Sequence, residues 1–181
     1  MAMTAPDKVR QRARRAYEWA RLRNGAAKAW PALPLTAVSY WLCHEPEPSL
    51  AIGTALFAVV TGLAWYGRIA ARAASAGLKA GIGAFVVPVV AFHSYFAPDC
   101  CTLTAMLVIN GGCGLGVGLL LSFESTRLQT QRDVFLLCAS AVATLCGMLG
   151  CILFGPMGLA GMAAGVLLST APVAIYRHAT A

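Results

Sequence analysis

Six apolar stretches follow one another along the chain, separated by short polar segments. They cover residues 29–43, 49–66, 76–96, 103–123, 134–153 and 157–176. Because a helix of roughly 20 apolar residues crosses a hydrocarbon core about 30 Å thick, we interpret each stretch as a transmembrane helix. The pattern therefore predicts an all-α integral membrane protein, with a bundle of six transmembrane helices over residues 29–176.

The first apolar stretch is the shortest and contains Pro31 and Pro34. We interpret it as a span and not as a signal sequence, because the basic region before it is long and no small-residue cleavage site follows it.

Residues 1–28 are polar and basic. Thr4 is followed three residues later by Asp7, which is a start signal for a helix. Beyond it, apolar residues recur at helical spacing and form a narrow stripe beside a cationic face. This stripe consists of Val9, Ala13, Ala16, Tyr17 and Ala20. We predict a short cytoplasmic amphipathic helix that lies at the membrane surface or projects from it, and a short cytoplasmic tail at residues 177–181.

The composition agrees with a membrane protein. Of 181 residues, 59% are apolar and 12% are charged, whereas soluble domains carry about 25% charged residues. The length leaves no room for a large soluble catalytic domain. The chain has no glycine-rich phosphate loop, no His-Glu-x-x-His, no Gly-x-Ser-x-Gly and no CxxC zinc ribbon. We therefore expect no enzymatic activity.

The basic residues predict the orientation of the bundle. If the N-terminus is cytoplasmic, all 14 lysines and arginines fall on the cytoplasmic side, and the outer loops carry only Glu45, Glu47 and Asp99 as charged groups. Cytoplasmic loops collect Lys and Arg, so we predict a multi-pass protein of a bacterial inner membrane with both termini in the cytoplasm. This topology explains the net charge of +7 without a nucleic-acid partner, and membrane lipid is the expected contact of the basic helix.

The spans contain no Asp or Glu, which disfavours a proton-driven or sodium-driven transporter. Their polar residues of note are His93 and Asn110, which we expect to form hydrogen bonds locally or to a neighbouring helix. Glycines are spaced four residues apart in three pairs, and we expect these to pack helices closely. The pairs are Gly112 with Gly116, Gly114 with Gly118, and Gly161 with Gly165. A homo-oligomer stays open, because it needs a pair that faces outward.

The seven cysteines fall into two groups. Cys113, Cys138 and Cys146 lie at bilayer depth, where a thiol behaves as a small apolar group. The second group comes to the outer ends of the spans and consists of Cys43, Cys100, Cys101 and Cys151. In a bacterium that side is oxidising.

Three uses of the outer cysteines stay open: a structural disulfide, a redox sensor, or a soft-metal site. His44, Glu45, His93 and Asp99 lie close to them in sequence. The adjacent Cys100 and Cys101 are not expected to bond to each other, because a vicinal ring is strained. They could pair with Cys43 or Cys151, or hold one ion together.

The second half of the chain resembles a known family. Arg127 and Arg132 precede an Ala-rich and Gly-rich fifth span, residues 147–150 lead into Cys151, and Tyr176-Arg177 closes the sixth span. With six spans and both ends inside, the chain resembles the polytopic NrsF-like anti-sigma factors of proteobacteria. This resemblance implies a regulator that holds a cytoplasmic sigma factor through its N-terminal segment and responds to an envelope or redox signal.

The residues available for that contact lie on the N-terminal helix. They are Arg10, Arg14, Tyr17, Glu18, Trp19, Arg21 and Leu22. Tyr17 and Trp19 could equally anchor the helix among lipid headgroups.

A second resemblance rests on the cysteine pair. Cys100-Cys101 is followed by Thr102-Leu103 and a glycine-rich span, and in this it is similar to mercuric ion transport proteins. This resemblance implies a soft metal ion bound by Cys100 and Cys101, with Cys113 about three helical turns further along. No other cofactor is expected. A structural or assembly role is the third hypothesis.

Overall fold

The computed structural model describes residues 5–42, 46–95, 103–128, 131–152 and 155–178. In these ranges the chain forms seven helices and no strand. The helices are α1 (Ala5–Ala29), α2 (Ala32–Leu42), α3 (Pro46–Tyr66), α4 (Arg68–Tyr95), α5 (Leu103–Thr126), α6 (Arg132–Cys151) and α7 (Gly155–His178). The all-α prediction is confirmed for the described residues, and each predicted apolar stretch coincides with one helix from α2 to α7.

Four helices are long and apolar enough to cross a membrane. These candidate spans are Glu47–Tyr66, Arg68–Ala91, Leu107–Thr126 and Arg132–Cys151. Apolar helices that are shorter run over Ala32–Leu42 and Met157–Ala171. Large apolar side chains also cover the outside of the helices, whereas soluble monomers rarely expose large apolar patches. Examples are Val108, Leu119, Leu120, Phe123, Leu137, Leu167 and Leu168. Both features are those of a membrane protein.

One predicted loop is helical. The sequence pattern assigned residues 67–75 to a cytoplasmic loop, but α4 begins at Arg68 and only Gly67 separates it from α3. The backbone N–H of Ala71 donates to the carbonyl oxygen of Gly67 at 2.9 Å. From Arg68 onward the segment is rich in alanine and contains no helix breaker, so helix propensity extends the apolar span by two polar turns.

The core contains two pairs of parallel helices. In the first pair, α4 packs on α6 through glycines. A Cβ atom added to Gly81 would lie 2.5 Å from the Cβ of Cys146, and one added to Gly150 would lie 2.8 Å from the carbonyl oxygen of Phe85. Because the contact positions rise together along both helices, α4 and α6 run in the same direction.

The second pair is α5 and α7. Of the three glycine pairs predicted to pack helices closely, two lie in this interface and one does not. A Cβ on Gly114 would lie 2.5 Å from the carbonyl oxygen of Met162, and Gly118 and Gly165 also lie against the facing helix. Close packing is thus confirmed for these glycines and for Gly161, which lies 3.5 Å from Asn110 by the same measure. The prediction is wrong for the remaining pair, Gly112 and Gly116. These two are exposed, and an added Cβ would meet nothing within 4 Å.

The first two helices lie along α3. A turn at Trp30 and Pro31 separates α1 from α2, and the N–H of Leu33 donates to the carbonyl oxygen of Trp30 at 3.0 Å. Gly53 of α3 contacts Thr36 of α2. Further toward the N-terminus, Gly25 of α1 is buried against α3, where an added Cβ would lie 3.1 Å from the carbonyl oxygen of Thr61. The last two turns of α1 therefore belong to the packed bundle.

Two serines join three helices near the end of α2 and the start of α3. The hydroxyl of Ser39 on α2 donates to the carbonyl oxygen of Leu149 on α6 at 2.8 Å. A second hydrogen bond of 3.1 Å joins its Oγ to that of Ser49 on α3. Since a hydroxyl has one proton, Ser49 is the donor in the second bond. All the side-chain atoms involved are buried, so this junction ties α2, α3 and α6 together.

Candidate functional site

The N-terminal half of α1 projects from the bundle. Every residue from 9 to 20 is exposed, whereas Arg21 and Leu22 are half-buried and Gly25 is buried. At 1.5 Å per residue, the exposed part is about 18 Å long. We call residues 9–20 the arm.

Arg21 links the arm to the bundle. Its guanidinium carbon lies 5.6 Å from the centre of the Tyr17 ring, within the range of a cation–π contact. The same guanidinium donates a hydrogen bond to the carbonyl oxygen of Trp65 in the last turn of α3. Carbonyl groups in a last helical turn have no partner within their helix, so this bond satisfies one of them and holds α1 against α3.

Most of the predicted partner-binding residues lie on the arm. Arg10, Arg14, Tyr17, Glu18 and Trp19 are exposed. Within this set, Arg14 forms an ion pair with Glu18 at 3.2 Å, and the two side chains are 83% and 47% exposed, so the pair adds little stability. The other two predicted residues, Arg21 and Leu22, lie where the arm meets the bundle.

The arm and the following turns of α1 have two different faces. Tyr17, Arg21 and Lys28 line a cleft between α1 and the bundle. Trp19 is 71% exposed, and with Arg23 it lines a shallow groove that α1 forms alone. A partner that approaches from outside the bundle therefore meets Trp19 before it meets Arg21.

The predicted outer cysteines are mostly beyond the part of the chain that is described. Cys43, Cys100 and Cys101 lie outside it, as do His44, Glu45 and Asp99, and nothing in the structure bears on the metal site predicted at Cys100 and Cys101. Cys151 is described and is 0% exposed. The disulfide, redox and metal hypotheses stay predictions.

The thiol of Cys151 has a partner inside the bundle. Its Sγ donates to Oδ1 of Asn110 on α5 at 3.0 Å, and both side chains are fully buried. The expectation that Asn110 bonds to a neighbouring helix is thus confirmed. The sequence placed Cys151 by its position at the end of a span, and it contained no signal for the direction in which the thiol points.

The remaining described cysteines lie along the spans. Cys146 is buried against Gly81, and Cys113 and Cys138 are half-buried. Among the described residues, no group of three or more His, Cys, Asp or Glu side chains could hold a metal ion. As buried or half-buried side chains, these thiols contribute to packing, as small apolar side chains do.

A chain that retains Cys151 alone, with every other cysteine replaced by alanine, should react slowly with N-ethylmaleimide. We expect its rate in mild detergent to be roughly tenfold or more below the rate of a chain that retains Cys138 alone, because a buried thiol reacts only when the structure opens. Labelling followed by mass spectrometry measures both rates. Equal rates in the folded proteins would contradict the buried position, and both chains should react fully once they are denatured.

Comparisons of the chain with family models, with curated proteins and with solved structures found no match.

Proposed function

We propose that this protein is a membrane-embedded regulator of the anti-sigma type. It crosses a bacterial inner membrane six times, with both termini in the cytoplasm, and α1 holds a soluble sigma factor at the membrane. A signal on the outer side, received at Cys43, Cys100 and Cys101, releases that partner. The sigma-factor assignment comes from the sequence resemblance in the second half of the chain, and the geometry of α1 supports it.

The observation that carries the proposal is the exposure of the arm on every side. An isolated helix of this length is marginal in water, and a helix that buries no face gains nothing from tertiary packing. The arm therefore needs an external surface to order it. Its cations attract an acidic partner surface, and its exposed tryptophan offers the kind of anchor that dominates protein interfaces.

The lipid surface is the competing occupant of the arm. Tyr17 and Trp19 are residue types that favour the headgroup region, and the arginines would attract anionic lipid. The two occupants differ in one consequence. A soluble protein held by the arm is lost when the arm is removed, whereas a lipid anchor leaves no protein to lose.

Removing residues 2–20, which contain the whole arm, should abolish retention of the sigma factor. This deletion keeps the hydrogen bond from Arg21 to Trp65 and the packing of Gly25 against α3, so the bundle should insert as before. The tagged full-length chain and the deletion variant are purified in mild detergent, and bound soluble proteins are identified by mass spectrometry. We expect a sigma factor with the full-length chain and at least roughly a tenfold loss with the variant.

A pair of tryptophan variants refines this test. Trp19→Ala should weaken retention, whereas Trp41→Ala on α2, where the ring is 84% exposed but lies on a different helix, should not. If no sigma factor depends on the arm, the proposal fails and lipid anchoring replaces it. Metal uptake that depends on Cys100 and Cys101 would then be the next hypothesis to measure.

The distribution of charge supports the proposed topology. The parallel pairing of α4 with α6 brings Arg68 and Arg132 to the same end of the bundle, and Arg21 joins them through Trp65. Glu47, in the first turn of α3, lies at the opposite end. Positive charge marks the cytoplasmic side of bacterial membrane proteins.

Single cysteines introduced at the two ends should differ in labelling. In a chain from which the native cysteines have been removed, Glu47→Cys should react with a membrane-impermeant maleimide in intact spheroplasts, and Trp19→Cys should react only after lysis. Both positions are exposed in the folded chain, so the bundle itself shields neither of them. The reverse pattern would overturn the orientation, and labelling of both sites in intact spheroplasts would overturn the odd number of crossings between them.

A further inference from the structure

A cleft of about 870 Å³ lies between α1, α3 and α4. Five of its lining residues are basic, and none is acidic. These basic residues are Arg21 and Lys28 from α1, and Arg68, Arg72 and Lys79 from α4. The sequence accounted for each of them as part of the cytoplasmic charge bias, but the fold gathers them around one space.

The α4 cations share one helix face. Arg68, Arg72, Ser75 and Lys79 are spaced by four, three and four residues, which places them one above the other on a helix. This spacing was visible in the sequence and was the signal for a common site. The sequence did not show that these side chains share a cleft with Arg21 and Lys28. That arrangement depends on the turn at Trp30 and Pro31, which lays α1 along α3.

Lys79 is the most informative member of the set. It lies within the candidate span Arg68–Ala91, about 16 Å along the helix axis from Arg68. An ionisable residue at this depth is costly and usually has a partner. Its flexible stem lets the ammonium reach back toward the polar end of the helix, where Arg72 carries the same sign of charge. Like charges at close range repel, so an anion among them would stabilise the cluster.

The rest of the cleft is apolar. Val60 and Ala64 of α3 line it, together with Leu78 and Ile82 of α4 and the ring of Trp30. A free anion would make use of the cations alone. An anionic amphiphile would use both parts, with its phosphate among the basic side chains and its hydrocarbon along the apolar wall.

We propose that this cleft binds the phosphate headgroup of an anionic phospholipid, with part of an acyl chain against α3 and α4. Basic pockets between membrane helices on the cytoplasmic side suit such headgroups. The bound lipid joins α1 to α4 and so fixes the base of the arm. This inference rests on the membrane placement in the proposed function, but it does not depend on the sigma factor.

Lipid addition to the purified protein tests the site. The full-length chain in neutral detergent is titrated with phosphatidylglycerol, with phosphatidylcholine of the same acyl chains, and with inorganic phosphate, and thermal unfolding is followed. We expect phosphatidylglycerol alone to raise the Tm in a saturable manner. An equal rise with phosphatidylcholine would overturn the anionic site, and an equal rise with inorganic phosphate would overturn the lipid and assign free phosphate in its place.

A charge-matched pair of variants locates the effect. Arg72→Gln combined with Lys79→Gln should weaken the apparent affinity for phosphatidylglycerol on the order of thirtyfold, from the loss of two basic contacts at the surface. Arg10→Gln combined with Arg12→Gln removes the same charge from the arm and should change the affinity less than about threefold. Equal losses in the two variants would overturn the cleft as the binding site.

The variants also separate this inference from the function proposed above. Arg72 and Lys79 are exposed and carry like charges that repel, so the Tm of their double variant without lipid should be no lower than that of the unmodified chain. Arg68→Gln combined with Arg72→Gln provides a second variant that removes two positive charges from the same cleft. The readout contains no sigma factor and no cell, so a failed lipid effect leaves the retention experiment unaffected, and failed retention leaves the lipid titration unaffected.

Discussion

Replacing Gly114 with alanine should lower the free energy of unfolding by about 2 kcal/mol, the middle of the range for overpacking a close contact. An added Cβ would lie 2.5 Å from the carbonyl oxygen of Met162 and 3.0 Å from the Cα of Gly165. Both neighbours are backbone atoms of α7, which cannot turn aside as a flexible side chain can. The helices α5 and α7 must therefore separate, and the contacts along their interface are weakened.

The matched control lies two residues further along the same helix. Gly116 is exposed and has nothing within 4 Å of an added Cβ. Alanine there should be neutral or should stabilise the helix by up to about 1 kcal/mol, because it reduces the freedom of the unfolded chain. Unfolding by sodium dodecyl sulfate in mixed micelles measures both values. A similar effect at the two positions would refute the close approach of α7 to Gly114.

This comparison shows how far the sequence could specify the packing. Glycines spaced by four residues indicate a close helix contact, but Gly112 with Gly116 and Gly114 with Gly118 have the same spacing on nearly opposite faces of α5. Only the position of α7 decides which face is buried. Local spacing carries no information about that position, because it depends on contacts between residues some fifty places apart.

The hydrophobic pattern predicted the helices well, since an apolar run of suitable length has few alternatives in a membrane. It failed where a polar segment forms part of a helix. Residues 67–75 are polar enough to resemble a loop, yet their alanines continue α4. The basic N-terminal segment was predicted as a helix that lies at the membrane surface or projects from it, and the pattern contained no signal that its last turns pack on α3. That contact depends on the close approach of Gly25 to Thr61.

The partner-binding residues of the arm stay a prediction. Charge and aromatic residues marked Arg10, Arg14 and Trp19 as available for contact, and all three are exposed. Arg21 belongs to the same stretch of sequence, but it connects the arm to the bundle, because its guanidinium donates to a carbonyl oxygen at the end of α3. A residue type indicates what a side chain can bind, whereas the neighbouring helix determines what it does bind.

Replacing Ser39 with alanine should lower the free energy of unfolding by about 1–2 kcal/mol. The change removes both hydrogen bonds of the junction, so that the carbonyl oxygen of Leu149 and the hydroxyl of Ser49 lose the partner that joins them to α2. Ser49→Ala should cost less, because the bond between Ser39 and Leu149 remains in that variant. The order of the two effects follows from the direction of donation, in which Ser49 donates to Ser39 and Ser39 donates to the carbonyl.

The control for the serine junction is Ser140 on α6. Its hydroxyl donates to the carbonyl oxygen of Leu137 in the same helix, at 3.1 Å, and joins no other helix. Ser140→Ala removes the same atom and one hydrogen bond, so any general effect of losing a hydroxyl is common to both variants. If unfolding in mixed micelles gives Ser39→Ala and Ser140→Ala the same stability, the junction does not hold α2 to the bundle. A larger loss for Ser39→Ala means that α2, the shortest helix of the bundle, is fixed to α3 and α6 by hydrogen bonds as well as by packing.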